Sequence, residues 1–445
     1  LQTVIPFRAW RYDPRRAGDL NRLIAPPYDV IDTALQSRLY ARSPHNVVRV
    51  DLGVSTPSDS ECDNQYTRAA GQLADWRERG ILVRDGRPTV TFVQESFTGP
   101  DGRVSVRHGF LALMRLCDFD ERIVFPHERT LSGPKEDRFR LLQATELSLS
   151  PVFLLYDLPD DSIMSAWRKG PWHSDPAQLV ADPDAGPAAP ETRLWPVSDP
   201  DLLDIVQSAL AGGRFVIADG HHRYETALRY RDYRRAEAKP SQASEYALAY
   251  FSNMADPALA IYATHRLVRG LDPALVASLP QVLAATFAVE RLTDGQDADS
   301  ARAAITTYLE THPRSAFGLW GPGVDGAYGL RLTSEAAARA VEPEASPAYQ
   351  MLDVTVLQSL VLRQALGITL DDLAAETYVT FFKDPTDAFA RLAAGEFQAG
   401  LFMNPTRLDQ IREVAFGGER MPQKATFFYP KLPTGLVFHD LNGNV

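Results

Sequence analysis

The sequence predicts an α+β fold, with strands and helices mixed along the whole chain. Three observations carry this reading. Apolar residues at spacing two, short continuous apolar runs and helical spacings follow one another in no regular order, which fits neither a strict βαβα array nor a bundle. Proline accounts for 32 of 445 residues, so the chain is cut into short elements by frequent turns. Apolar residues make up 45% and charged residues 23%, a globular composition that argues against disorder. A chain of this length suggests two or three lobes of ~150 residues.

The elements follow in order. Ala25-Pro26-Pro27-Tyr28-Asp29-Val30-Ile31 is a double-proline turn. Asn46 to Leu52 alternates enough to predict a strand. Ala69, Leu73 and Trp76 recur at helical spacing within 65–79, and Gly80 ends that helix. Thr89–Phe97 and Arg107–Leu116 read as two strands joined by the turn Thr98-Gly99-Pro100-Asp101-Gly102. Asp137–Glu146 predicts a short helix and Pro151–Tyr156 a buried strand. Residues 157–200 are rich in Asp and Pro and read as a surface excursion or hinge. A helix over Pro200–Leu210 precedes the apolar strand Phe215-Val216-Ile217-Ala218, and a second helix covers about 222–238. Leu259–His265 reads as a strand. Residues 272–335 then predict helix, strand, helix, strand, strand. Met351–Leu366 reads as helical, and Glu396–Met403 and Ala425–Phe428 as late strands. The expected organisation is an N-terminal α+β lobe over 1–156, the excursion 157–200, and a strand-turn-helix core over 201–271. An inserted α+β subdomain at 272–345 and a C-terminal segment at 346–445 complete it.

Charge and composition exclude several classes. The net charge is −11, which disfavours general binding of duplex nucleic acid or anionic membrane. No apolar run approaches the ~18 residues of a membrane span. No signal peptide or lipidation motif is visible, and the two cysteines, Cys62 and Cys117, cannot build a disulfide framework or a multi-cysteine zinc site. A cytoplasmic location is the expectation. Cys117, among Met114, Leu116 and Phe119, is expected to be buried.

Three polar constellations stand out. In Phe215 to Ala227 a buried strand ends at Asp219, Gly220 permits a sharp turn, and a helix starts at once. A helix N-terminus offers N–H donors and a positive dipole end, which suits phosphate. His221, His222 and Arg223 crowd the same spot, and a guanidinium can grip an anionic oxygen through two donors. Asp219 is a candidate N-cap, Mg²⁺ ligand or orienting partner for a histidine. The bland alternative is an ordinary capped helix with solvated histidines. The second constellation, Pro126 to Arg138, offers His127 and Glu128 as candidate bases, with Lys135 and Arg138 as candidate phosphate ligands. Its bland alternative is a charged loop leading into a helix. The third, Met421 to Lys431, sets two lysines around an aromatic strand, and an edge strand explains it equally well. Gly321 to Gly326 matches G-x-G-x-x-G, but a strand follows it, so it reads as a hairpin turn. No G-x-S-x-G elbow occurs.

Along nearly its whole length the chain resembles a bacterial and archaeal family catalogued as a domain of unknown function, number one thousand and fifteen. The resemblance rests on Ala25 to Ile31, Pro44-His45-Asn46, Pro126 to Thr130, Pro134 to Arg138, Ala218 to Ala227, Thr264-His265-Arg266, Asn404-Pro405-Thr406, and Met421 to Lys431. It implies that the 127–138 loop and the Lys424 segment belong to a site. Locally, Gly220-His221-His222-Arg223-Tyr224 is similar to the phosphate-binding strand-turn-helix of the ParB/sulfiredoxin superfamily, implying a mixed-sheet core of that type. Sulfiredoxin chemistry needs a cysteine where this chain has His221, and no helix-turn-helix partner of the ParB type is visible. The free-serine-kinase branch fits an acidic chain best.

Together these imply a nucleotide-dependent phosphotransferase acting on a small hydroxyl metabolite such as free serine. Gly220 and Arg223 would cradle the phosphates of ATP, ADP or another nucleotide. Mg²⁺ would sit near Asp219 or Glu128. Glu128 or one of His127 and His221 would take the hydroxyl proton, with Asp219 and His222 as further catalytic candidates. Thr130, Lys135, Arg138, Lys424 and Thr426 would bind phosphate. The rivals are a phosphatase or phosphodiesterase, a nucleotide-gated regulator without turnover, and a plain metabolite-binding protein.

Overall fold

The computed structural model describes the chain except residues 1, 100–101, 129–132, 174–175, 182–188, 238–240, 296, 340–341 and 445, and the side chains of 133, 134 and 173. The chain divides into two compact units. The first comprises Leu1–Pro126, Thr130–Leu259 and Pro430–Val445; the second comprises His127–Arg129 and Ala260–Tyr429. Both are built from helices and strands, so the α+β class holds.

The first unit is organised by a nine-stranded sheet: β1 (Val4–Ile5), β2 (Val90–Thr98), β3 (Val104–Arg115), β4 (Val124–Pro126), β5 (Val152–Tyr156), β6 (Gln178–Ala181), β7 (Glu191–Val197), β8 (Phe215–Asp219) and β9 (Tyr246–Asn253). The order is β4-β8-β5-β9-β3-β2-β7-β6, with β1 paired to β3. The sheet is mixed. β8 runs parallel to β4 and β9 parallel to β5, while the other pairs are antiparallel. Helices α1 (Gly133–Thr145) and α2 (His221–Ala236) belong to this unit. β5 and β9 are buried at every position, as strands covered on both faces must be. One core gathers Phe92, Phe110, Trp167, Phe215 and Phe251. In it the rings of Phe110 and Phe251 stack at 5.1 Å and those of Phe92 and Trp167 at 5.3 Å.

In the second unit a six-stranded antiparallel sheet runs in the order Phe287–Asp294, Gly326–Leu332, Ala316–Trp320, Ala399–Met403, His265–Val268, Val379–Phe382. Ile305, Tyr308, Trp320, Phe389 and Phe402 build its core. Gly321 to Gly326 is the turn between two antiparallel neighbours, as its flanking strands predict.

Several expectations change. Val48–Asp51 is helical, not extended. Asn46 is the cause: its Oδ1 accepts the Val48 N–H at 3.0 Å, and its amide nitrogen donates to the carbonyls of Arg22 and Ile24 at 2.8 and 2.9 Å. Such local bonds start a turn where alternation alone suggests a strand. The stretch 157–200 is not wholly an excursion. It holds the helix Ser162–Lys169 together with β6 and β7, and Leu194 and Trp195 of β7 are buried. Pro196 hides this strand from a composition reading; it lies past Glu191–Leu194, where β7 pairs with β6, so fewer neighbours need its missing N–H. The expected strand at Leu259–His265 is two strands, Ala260–Tyr262 and His265–Val268. The stretch 351–366 is helical as expected, an α-turn at Asp353–Val356 that continues as a π-helix over Leu357–Ala365. Cys117 is buried.

Candidate functional site

The strand-turn-helix at β8 and α2 has the form the sequence predicts. Phe215, Val216, Ile217 and Ala218 are buried, and the chain turns at Gly220 with φ +87°. A Cβ at Gly220 would lie 2.7 Å from Arg223 Nε. Glycine is therefore required twice, by the left-handed backbone and by the side chain folded over it. Gly220 is the N-cap residue, and no side chain caps α2. Asp219 is not the cap. One carboxylate oxygen accepts from Arg223 Nη2, and the other lies 3.3 Å from Lys431 Nζ. Arg223 Nη1 also donates to the Pro151 carbonyl, and Lys431 pairs with Asp29. His221 and His222 open the helix half-buried.

A second set of charges joins this one. Arg138 Nη1 lies 3.1 Å from Asp51 Oδ1, and Arg138 Nη2 lies 2.6 Å from Asp137. The Arg138 guanidinium stacks over the Tyr28 ring at 4.3 Å. Burial raises the Asp51 pKa, with Arg138 and Arg223 opposing. Burial raises Tyr28 as well, and the same two arginines oppose it. For Lys431 burial acts downward, but Asp219 and Asp29 outweigh it and the ammonium is held charged. The result is a linked cluster of three cations (Arg138, Arg223, Lys431), four carboxylates (Asp29, Asp51, Asp137, Asp219) and a tyrosine. Lys135 stands apart within this unit, paired with Glu225 at 2.5 Å.

In the second unit His127, Glu128, Lys424 and Thr426 meet. His127 is fully buried, its Nε2 is 2.7 Å from Thr426 Oγ1, and its carbonyl accepts from Met421 N at 2.7 Å. Glu128 Oε1 accepts the Lys424 N–H at 2.8 Å, and Arg266 Nη2 donates to the Lys424 carbonyl at 3.1 Å. Lys424 is held at φ +57°, and its side chain is exposed. Arg266 is buried, and desolvation lowers it to about 10, with Glu128 opposing. Thr130 lies outside the described residues.

Tyr28, Asp29 and Asp51 were not among the candidates read from the sequence, and Lys431 entered only as one of the two lysines around the aromatic strand. Tyr28-Asp29 within the double-proline turn and Lys431 after Pro430 were the available signals. Asp51, in an apolar run, gave none.

A protein-family model described as "Protein of unknown function (DUF1015)" matches residues 4–355. The chain belongs to this family. Members of DUF1015 are defined by that match and not by an activity, so the chemistry rests on the residues. No curated protein matches the chain. Among solved structures it is similar to a conserved hypothetical protein from Pyrococcus furiosus, at 15% identity and TM-score 0.34, covering 73% of this chain and 95% of that one. It is also similar to a free serine kinase in complex with AMP, at 14% identity and TM-score 0.34, covering 73% and 92%. A third is SbnI with a C-terminal truncation from Staphylococcus aureus, at 12% identity and TM-score 0.35, covering 73% and 85%. Superpositions this loose carry no argument about this chain's chemistry.

Among the described residues, no three His, Cys, Asp or Glu side chains are grouped to hold a metal ion. Asp219 already faces two cations, and one oxygen of Glu128 is bonded to a backbone N–H. This arrangement does not fit a resident Mg²⁺ at either carboxylate. No helix among the described residues is long and apolar enough to cross a membrane.

Proposed function

We propose that the chain is a nucleotide-dependent phosphotransferase, with ATP or ADP as its nucleotide and a small hydroxyl compound, of the size of free serine, as acceptor. One observation carries this: Asp219 lies between Arg223 and Lys431 at the glycine-opened start of α2. The carboxylate stands in for the anionic oxygen of a ligand. Two charged donors converge on it, and the residue that bears it directly precedes the glycine that opens a helix, features that together suit phosphate. An incoming phosphate would replace Asp219 on Arg223 and Lys431.

The reaction then needs little covalent chemistry from the protein. The acceptor oxygen bonds to the terminal phosphorus, the bond to the departing nucleotide breaks, and its electron pair leaves with that nucleotide. The hydroxyl proton passes to a carboxylate of the cluster. Positioning and neutralisation of phosphate charge by Arg223, Lys431 and the helix start supply the catalysis. The four carboxylates explain why the nucleotide would enter as its Mg²⁺ complex: a bare polyanion would meet them unshielded.

Titration calorimetry with MgATP and MgADP tests this. The intact protein should bind one of them, and Arg223→Lys and Lys431→Met should each weaken that affinity at least tenfold. No binding by the intact protein would overturn the proposal. Binding without label transfer to any acceptor would make it a nucleotide-responsive regulator instead, and phosphate release without an acceptor would make it a phosphatase.

A further inference from the structure

A cavity of about 60 Å³ lies in the first unit beside the charged cluster. One stripe of α2 lines it: Arg223, Thr226, Ala227 and Tyr230, at helical spacing. Asp51 and Arg138 add charge to the lining, Ser148, Ser150 and Ser244 add hydroxyls, and leucines, among them Leu141 and Leu142 of α1 and Leu248 of β9, supply much of its apolar surface. Two oxygens on this lining are buried without a hydrogen-bond partner, Thr226 Oγ1 and Asp51 Oδ2. Their residues are 2% and 4% exposed. Buried polar atoms of this kind are costly to leave unpaired, so a pair in one cavity points to something that binds there.

Volume and charge narrow the class. Liquid water takes about 30 Å³ per molecule, so a space of about 60 Å³ suits a group of two to four non-hydrogen atoms. Asp51 Oδ2 is an acceptor and the Thr226 hydroxyl can donate, so a ligand hydroxyl that donates to the carboxylate and accepts from Thr226 would satisfy both. Arg138 and Arg223 flank them, so a neutral hydroxyl enters at lower cost than an ammonium.

We propose that this cavity is the acceptor pocket, which takes a short hydroxyalkyl group with its hydroxyl bonded to Asp51 Oδ2 and Thr226 Oγ1. This rests on the phosphotransferase reading and adds the acceptor class and the proton acceptor. Asp51 takes the hydroxyl proton as the oxygen bonds to the terminal phosphorus of the nucleotide and the departing nucleotide keeps its electron pair. Burial, which raises the Asp51 pKa, makes it a stronger base.

Two arms test the proposal separately from the reading it rests on. In the first, saturation-transfer NMR follows 1-propanol on the full chain without nucleotide. Transfer to the alcohol should be seen with the wild type and be lost in Thr226→Val, which keeps the shape, and in Ala227→Leu, which fills the space. No transfer with the wild type, or equal transfer in all three, would overturn the proposal and indicate that the cavity holds water only. In the second, ADP release with MgATP is measured against ethylene glycol, 1-propanol and the aromatic hydroxyl of tyrosine. The short alcohols should accelerate it. Thr226→Val should raise their KM at least tenfold, and Asp51→Asn should lower kcat at least 100-fold with nucleotide affinity retained. Acceleration by tyrosine as strong as by the short alcohols would overturn the pocket while sparing the phosphotransferase. Alcohol binding in the first arm with no ADP released from MgATP under any acceptor in the second would overturn the phosphotransferase while sparing the pocket.

Discussion

Glu95 and Arg107 stand directly opposite one another on β2 and β3, and both Nε and Nη2 of Arg107 donate to Glu95 Oε2, at 2.9 and 2.6 Å. The pair is sealed from water, at 1% and 0% side-chain exposure. Tyr250 donates to the same oxygen at 3.1 Å, and the guanidinium lies 4.9 Å from the Phe153 ring centre. Arg107 Nη2 also donates to the Pro430 carbonyl at 2.7 Å. The next residue is Lys431, which holds Asp219 and Asp29. A buried ion pair in the sheet thus anchors the segment that carries a cation of the candidate site.

Breaking this pair should be expensive. Arg107→Met leaves Glu95 buried without its partner and should destabilise the first unit by about 3–5 kcal/mol. The double variant Glu95→Leu/Arg107→Met should recover most of that loss, because an apolar pair replaces an ionic one. Urea titrations followed by circular dichroism measure both. A loss below about 1 kcal/mol in the single variant would mean that the pair is not desolvated as described.

Two glycines should respond oppositely to the same substitution. Gly220→Ala forces a Cβ into left-handed backbone and towards Arg223, at a cost of about 1–2 kcal/mol. Gly71 lies inside the helix Gln65–Glu78, and a Cβ added there would meet nothing within 4 Å. Gly71→Ala should therefore stabilise by about 0.5–1 kcal/mol. Thermal melts of the two variants check the contrast, and a stabilised Gly220→Ala would refute the turn geometry.

Acid should destabilise both units through buried histidines. Burial pushes His265 in the second unit and His439 in the first down to about 4. A histidine depressed in the folded state stabilises above its ordinary value near 6.5 and loses that contribution as pH falls towards 4. His439 Nε2 lies 2.9 Å from the Ala243 carbonyl, and the neutral ring satisfies that carbonyl by donating its Nε2–H. Stability should fall between pH 6.5 and 4, and His439→Gln should flatten that fall in the first unit. Asp353 works the other way: burial raises it to about 6, so its contribution is present below its ordinary value and lost as pH rises through 6. Asp353→Asn should raise the melting temperature at pH 7.5 and not at pH 4.

Much of the fold was legible in short-range pattern. The run 272–335 forms the strands its spacing predicts and the helix Ala298–Thr311, with the first expected helix broken into Pro273–Ala277 and Leu279–Leu283; Asp272 and Asp297 cap the helices that follow them. The hairpin strands β2 and β3, the helix Pro200–Leu210 and the β8–α2 junction were legible in the same way. β7 was not, since the Asp and Pro residues around it mask a strand that only its sheet neighbours stabilise. The candidate site was half legible. Asp219, Gly220 and Arg223 announce themselves within five residues. Their neighbours in the charged cluster, Asp29, Asp51 and Lys431, come from distant parts of the chain, and a single acid or lysine in sequence carries no mark of what it will face.

The sequence alone therefore determined the α+β class, the glycine turn at 220 and the helix that follows, since these depend on backbone conformation and nearest neighbours. Only the tertiary structure decided that Asp219 faces two cations instead of capping its helix. It alone set Asp51 and Thr226 on one cavity with unpaired oxygens. Charge pairing and burial depend on distance through space, and that distance is set by how β8, α1 and α2 pack.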